Sequence, residues 1–241
     1  MLIEVFAESP KSGEFFTNAV RIQQSVLAQP EKRLLIWMAE RTPSWIAPDH
    51  LTIFGFVAQL MTGISYAFAV SSQLGLTGAT VFLILNWFGD SMDGTLARVR
   101  QQQRPRYGFY VDHMLDSIGA VALMLGLALS GYMNPTIAVA LLVLFLLLSI
   151  QSYLATYTLR EFRMSFWSFG PTELRLLLIL GNLAAYRWSV VRGYRLFDVG
   201  GAIGIAGMSL ILVWFTARNI GRLYVQERLP SRHADDDPMF C

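Results

Sequence analysis

Apolar residues run through this chain in long blocks separated by short polar breaks, the pattern of helices sized for a bilayer. The first block runs from Leu51 to Val70, about the 20 residues a span requires, and it follows two helix breakers, Pro43 and Pro48. A Ser71-Ser72-Gln73 turn leads into a second predicted helix, Leu74 to Arg98, apolar in its first half and acidic in its second. Further helices are expected from about Gly108 to Tyr132, from Thr136 to Thr158 behind Asn134-Pro135, from Pro171 to about Tyr186, and from Val199 to Val225. Ahead of the first span, Pro30 to Arg41 predicts an amphipathic helix at the membrane interface. Leu34, Trp37 and Met38 share one of its faces, and Glu31, Lys32, Arg33, Glu40 and Arg41 flank it.

The pattern divides the chain into an N-terminal segment, 1–47, with a short helix expected between Phe15 and Leu27, a six-helix membrane domain, 48–228, and a tail, 229–241. The tail's Asp235-Asp236-Asp237 run reads as a solvated, disordered end. Composition agrees. Charged residues make up 15% of the 241 and hydrophobic ones 54%, against about a quarter charged in ordinary soluble domains. The fold class expected is therefore all-α and polytopic: six transmembrane helices and one interfacial helix. A net charge of +2 gives no footing for a nucleic-acid partner. With six spans both termini share a side, and all Lys and Arg except Arg187, Arg192 and Arg195 fall there. That bias places the termini in the cytoplasm. The single cysteine, Cys241, rules out an internal disulfide and a Cys/His metal site, and Met1 to Glu8 lacks the basic-then-apolar pattern of a cleavable signal.

Chemistry enters with four acids. Asp90 and Asp93 are three apart on the second helix, Asp112 and Asp116 four apart on the third, so each pair projects from one helix face. An ionised aspartate near bilayer depth costs roughly 2.5–3.5 kcal/mol and needs compensation. Hard carboxylate oxygens without cysteine favour Mg²⁺ or Mn²⁺, and two such ions balance four carboxylates. A purely structural ion-pair reading needs four basic partners, and only Arg98 is near in sequence. Any of the four carboxylates is eligible as a general base by burial and like-charge repulsion.

The run Asp90-x2-Asp93-Gly94-x2-Ala97-Arg98, followed by Gly108-x3-Asp112-x3-Asp116, resembles the signature of the CDP-alcohol phosphotransferase family of membrane lipid enzymes. Nine residues separate Arg98 from Gly108, one more than the family spacing of about eight, which alters the loop between the two helices. The resemblance implies a six-helix membrane domain acting as a homodimer. It implies metal ligation by Asp90, Asp93, Asp112 and Asp116, contact of Gly94, Ala97, Arg98 and Gly108 with the CDP moiety, and Asp116 as the base. The entry Pro48-Asp49-His50-Leu51-Thr52 is similar to the family's first-helix entry, which makes Asp49 and Thr52 candidate nucleotide contacts; Asp49 equally suits an N-cap. In the basic loop Arg100 and Arg106 read as positive-inside residues, and Arg104 stands as a candidate substrate contact.

His113 is offset from the Asp112/Asp116 face and reads as a packing residue, although Asp112-His113 resembles the family branch that handles choline and ethanolamine. Glu173 and Arg175 read as caps and anchors of the fifth helix before acceptor-pocket residues. The leading function is transfer of a phosphatidyl group from a CDP-alcohol, CDP-diacylglycerol foremost, to an acceptor alcohol with release of CMP. The alternatives are CDP-choline or CDP-ethanolamine donating to diacylglycerol, and, in a different class, a cation-binding transporter, for which Gly94 and Arg98 have no evident use.

Overall fold

The computed structural model describes residues 20–22, 28–159, 161–163, 171–188, 190–191 and 194–227. Among them are seven helices: α1 (Ala28–Arg41), α2 (Pro48–Phe68), α3 (Leu74–Val99), α4 (Pro105–Leu129), α5 (Pro135–Leu159), α6 (Pro171–Arg187) and α7 (Leu196–Gln226). Two minimal sheets accompany them. One pairs β1 (Val20–Ile22) in parallel with β2 (Glu161–Arg163), and the other pairs β3 (Val190–Val191) with β4 (Tyr194–Arg195) antiparallel. The short helix expected between Phe15 and Leu27 is a strand at Val20–Ile22; the rest of that stretch and the 229–241 tail lie outside the described residues.

Proline decides where four of the helices begin. Pro48, Pro105, Pro135 and Pro171 each open one, since a first-turn residue needs no N–H partner and its φ is already helical. For that reason α4 starts at Pro105, three residues before the Gly108 start expected, and Arg106 belongs to the helix rather than to the loop. The loop shrinks to Arg100–Arg104. At its start α3 ends in a Schellman pattern: the Gln101 amide donates to the Arg98 carbonyl (3.2 Å) and the Gln102 amide to the Ala97 carbonyl (2.8 Å). Gln101 takes the left-handed position, φ 56°, that glycine normally holds.

Four helices are long and apolar enough to cross a membrane: α2, α4, α5 and α7. The six spans expected are thus only partly matched. Asn86, Asp90, Asp93 and Arg98 lower the apolarity of α3, and α6, at 17 residues, is about 25 Å long. The outward faces suit lipid, with Leu210 and Ile203 of α7 about 70% exposed (73% and 69%).

α2 is the centre of the packing, against α3 along most of its length and against α4. Close approach needs small residues. A Cβ on Gly89 would stand 2.6 Å from the Gly55 backbone, and one on Gly126 would collide with the Gly63 carbonyl. Beyond these crossings an apolar core of Tyr66, Leu76, Leu123, Leu127 and Phe197 closes the bundle. Inside it Tyr66 donates to Asn182 Oδ1 (2.8 Å), and Asn182 donates to Thr80 (3.1 Å), tying α2, α6 and α3 together.

α1 lies against α3 with Leu35 and Ala39 buried on Leu51, Met92 and Leu96. The face that packs on the bundle is thus a different one from the Leu34, Trp37 and Met38 face expected at the membrane. Met38 stays partly buried, while Leu34 and Trp37 point outward, where the Arg41 guanidinium covers the Trp37 ring at 4.4 Å.

Two substitutions check this account by thermal unfolding in detergent. Gly89→Ala is expected to destabilise by about 1–3 kcal/mol, because neither backbone at the crossing can yield cheaply. Gln101→Gly, which relieves a left-handed side chain, is expected to stabilise by up to about 1 kcal/mol.

Candidate functional site

The acidic half of α3 and the first turns of α4 open on one cleft beside α2. All four carboxylates, Asp90, Asp93, Asp112 and Asp116, line it with Thr52, Gly55, Phe56, Gln59, Asn86 and Leu115. Helical spacing explains the convergence: Asn86, Asp90 and Asp93 form one stripe of α3, Asp112 and Asp116 one of α4, and Thr52, Gly55 and Gln59 one of α2. The Gly55/Gly89 crossing brings the α2 and α3 stripes together.

Each acid of α3 has its own compensation. Asp93, only 8% exposed, accepts from the Thr52 hydroxyl at 2.6 Å and from the Gly94 amide. Asp90 accepts from Arg175 of α6 at 2.7 Å, and the same guanidinium donates through Nε to Asn86 Oδ1 at 2.8 Å. Asn86 in turn donates to the Gly55 carbonyl (3.0 Å), so one polar chain crosses α6, α3 and α2. On α4, Asp112 is half-buried and Asp116 is exposed.

The other residues singled out from the sequence are placed differently. Gly94, Ala97, Arg98, Gly108, Asp49 and Arg104 are not among the cleft-lining residues. Gly94 presents an open face: a Cβ there would meet nothing nearer than the Arg98 guanidinium, 3.9 Å away. Arg98 is exposed and donates to Thr95 Oγ1 (3.2 Å), and Gly108 is exposed with open space around it. Asp49 does not cap α2. That role falls to His50, whose Nδ1 accepts from the Ala47 amide (3.1 Å) at the N-cap. Asp49 pairs instead with Arg104, which also stacks on Tyr107 (4.1 Å). The carboxylate's hydrogen bond raises the Arg104 pKa above its ordinary value, so this rim pair stays charged.

Three residues carry more of the site than the sequence reading gave them. Arg175 reaches across to Asp90, which corrects the cap-and-anchor reading. Asn86, one turn before Asp90, joins the polar chain; a lone Asn in an apolar half-helix was the available signal. Arg100 is more than a topology charge. It donates to the carbonyls of Ile46 (2.6 Å), Thr42 (2.8 Å) and Pro43 (2.9 Å), which fixes the α1–α2 connection. His113 packs as expected, its ring 4.2 Å from Phe109 and 5.0 Å from Tyr153.

The donor set fits a hard dication, being carboxylates and a hydroxyl with no thiol. As placed, Asp90 is engaged by Arg175 and Asp93 by Thr52 and Gly94, and among the described residues no three acidic, His or Cys side chains form a ready metal site.

Residues 45–220 match the family model for CDP-alcohol phosphatidyltransferase. No curated protein matches the chain.

The Arg175–Asp90 pair has side chains 14% and 29% exposed, so removing one partner should be felt. With chelator present, Arg175→Met is expected to lower the unfolding midpoint in detergent, and adding Asp90→Asn to recover part of the loss. A double-mutant coupling of about 1–2 kcal/mol is expected, below the ~3–5 kcal/mol of a fully buried pair.

Proposed function

The chain belongs to the CDP-alcohol phosphatidyltransferase family, and from that premise we propose that it transfers the phosphatidyl group of CDP-diacylglycerol to the hydroxyl of an acceptor alcohol, releasing CMP. The observation that carries the reading is the meeting of Asp90, Asp93, Asp112 and Asp116 in one cleft between membrane helices. In the reaction the acceptor oxygen attacks the phosphorus that bears the lipid alcohol, the phosphoanhydride bond to CMP breaks, and the acceptor's proton passes to a carboxylate.

Asp116 is that carboxylate in this reading. It is the exposed one of the four and lines the cleft beside the three other acids, open to an entering hydroxyl. Asp90, Asp93 and Asp112, with Asp116 completing the set, are the ligands for Mg²⁺ or Mn²⁺, and two such ions would supply the charge that stabilises the diphosphate and the departing CMP. Gly94 and Ala97 leave a face without bulk for the nucleotide, with Arg98, Gly108, Asp49, Thr52 and Arg104 as its further contacts. Arg175 holds Asp90 in place and adds positive charge beside the diphosphate.

The membrane arrangement that serves this chemistry has α3 and α6 crossing with the four apolar spans, both termini and the cleft on the cytoplasmic side, and two copies of the chain forming a homodimer. The length of α3 and the side chosen by all but three Lys and Arg support the first two. The reversed reaction, CDP-choline or CDP-ethanolamine donating to diacylglycerol, takes its sequence support from His113, which faces Phe109 and Tyr153. A cation transporter would leave the open face at Gly94 without a use.

Purified protein is expected to release CMP from CDP-diacylglycerol only with a divalent cation and an acceptor alcohol. Asp116→Asn should slow release by about 10²–10⁴-fold while the unfolding midpoint holds; an unimpaired rate ends the assignment. Gly94→Ala has room for its methyl group, so it should fold normally and raise KM for the CDP-alcohol by about tenfold.

A further inference from the structure

Gln59 enters the cleft from α2, one turn beyond Gly55 and two beyond Thr52. Its stem rests in a notch that exists because residue 119 of α4 is glycine: a Cβ on Gly119 would stand 2.6 Å from Gln59 Cγ. The carboxamide ends with its carbonyl oxygen, Oε1, buried and, among the described residues, without a hydrogen-bond donor. A buried acceptor that meets no donor is costly, because it has given up water without a replacement. Neighbouring polar groups have partners: Thr52 is turned to Asp93, and Asn86 bridges Arg175 and Gly55. The unmet need therefore falls on a residue that lines the same cleft as Asp116.

We propose that Gln59 selects the acceptor alcohol, its Oε1 accepting a hydrogen bond from a second donor group, hydroxyl or ammonium, beside the hydroxyl that reacts at Asp116. This rests on the phosphatidyl-transfer reading above. The reacting hydroxyl has a single proton, which leaves for the carboxylate, so it cannot also satisfy Oε1. The diphosphate offers only acceptors, which a carbonyl oxygen repels. The nucleotide's own donors belong in that reading to the Gly94 and Arg98 face of α3, and neither of those residues lines the cleft where Gln59 sits. A terminal carboxamide turns freely about its last torsion, so a small rotation presents Oε1 to the cleft. The ligand class is an alcohol with at least two hydrogen-bond donors.

The test uses the full chain in detergent micelles with Mg²⁺ and three substrate pairs: CDP-diacylglycerol with glycerol 3-phosphate, CDP-diacylglycerol with serine, and CDP-ethanolamine with diacylglycerol, whose acceptor has one hydroxyl and no second donor. Gln59→Met keeps the length of the side chain and removes the carbonyl; Gln59→Leu is the second variant. The expected result is CMP release with glycerol 3-phosphate or serine, which separates a hydroxyl from an ammonium as the second donor. In both variants KM for that alcohol should rise about tenfold or more while KM for CDP-diacylglycerol stays within about twofold. The unfolding midpoint should hold or rise, because an unpaired acceptor has gone. An unchanged acceptor KM, a rise confined to CDP-diacylglycerol, or turnover only with diacylglycerol as acceptor overturns the role of Gln59 and leaves the family reaction standing. CMP release from none of the pairs overturns the transfer reading itself.

Discussion

A carboxylate set among apolar helices has to be given hydrogen bonds or opposite charge where it stands, since no solvent will supply them. That requirement orders the structure. Asp93 is held by a hydroxyl from α2 and an amide of its own helix, Asp90 by a guanidinium from α6. For Thr52 to reach Asp93, α2 has to cross α3 at backbone distance, and Gly55 and Gly89 are what let it. For Arg175 to reach Asp90, α6 has to lie along α3, where the Tyr66, Asn182 and Thr80 bonds fix it deeper in the bundle. Packing and electrostatics are one constraint seen from two sides: α2 and α6, which pack on the acidic stripe of α3, also bring the groups that make it tolerable.

The same arrangement separates two kinds of glycine. Gly55, Gly63, Gly89 and Gly126 are pressed against neighbouring backbone, so a methyl group there has to move a helix. Gly94 faces open space, and its lack of a side chain does nothing for the bundle. A residue small without structural need, one position from an acid of the cleft, is what the passage of a bulky substrate would require. The polar chain from Arg175 through Asn86 to the Gly55 carbonyl also means that the crossing and the acids do not move independently.

How much of this could be read from the sequence depended on distance along the chain. The helices after Pro48 were legible, because long apolar blocks and breakers leave few other choices. The four acids were legible as two faces, because three- and four-residue spacing is local geometry. What was not legible came from pairing across the fold. Arg175 sits 85 positions from Asp90, and nothing near it announces the partner. The second face of α1, Leu35 and Ala39 docked on Met92 and Leu96, was not legible, because nothing near it in sequence names the helix it meets. Asp49 read equally as a nucleotide contact and as a cap; the cap fell to His50, and Asp49 is one end of a rim pair with Arg104. Four of the six expected spans stand out by length and apolarity, because a helix that must carry acids loses the apolarity by which spans are recognised.

Glu31 was read as one of several charges flanking the surface helix, yet its carboxylate accepts from Trp87 (2.8 Å) and Ser91 (3.2 Å) on α3 and from Thr172 (3.2 Å) on α6. Those are the two helices that supply Asp90 and Arg175. That carboxylate adds polar stitches to the Leu35 and Ala39 packing, so a helix with an exposed apolar face is tied to both walls of the acidic cleft. Sliding of the acidic cleft relative to α1 is thereby restrained: neither α3 nor α6 can shift along its axis without carrying α1 with it.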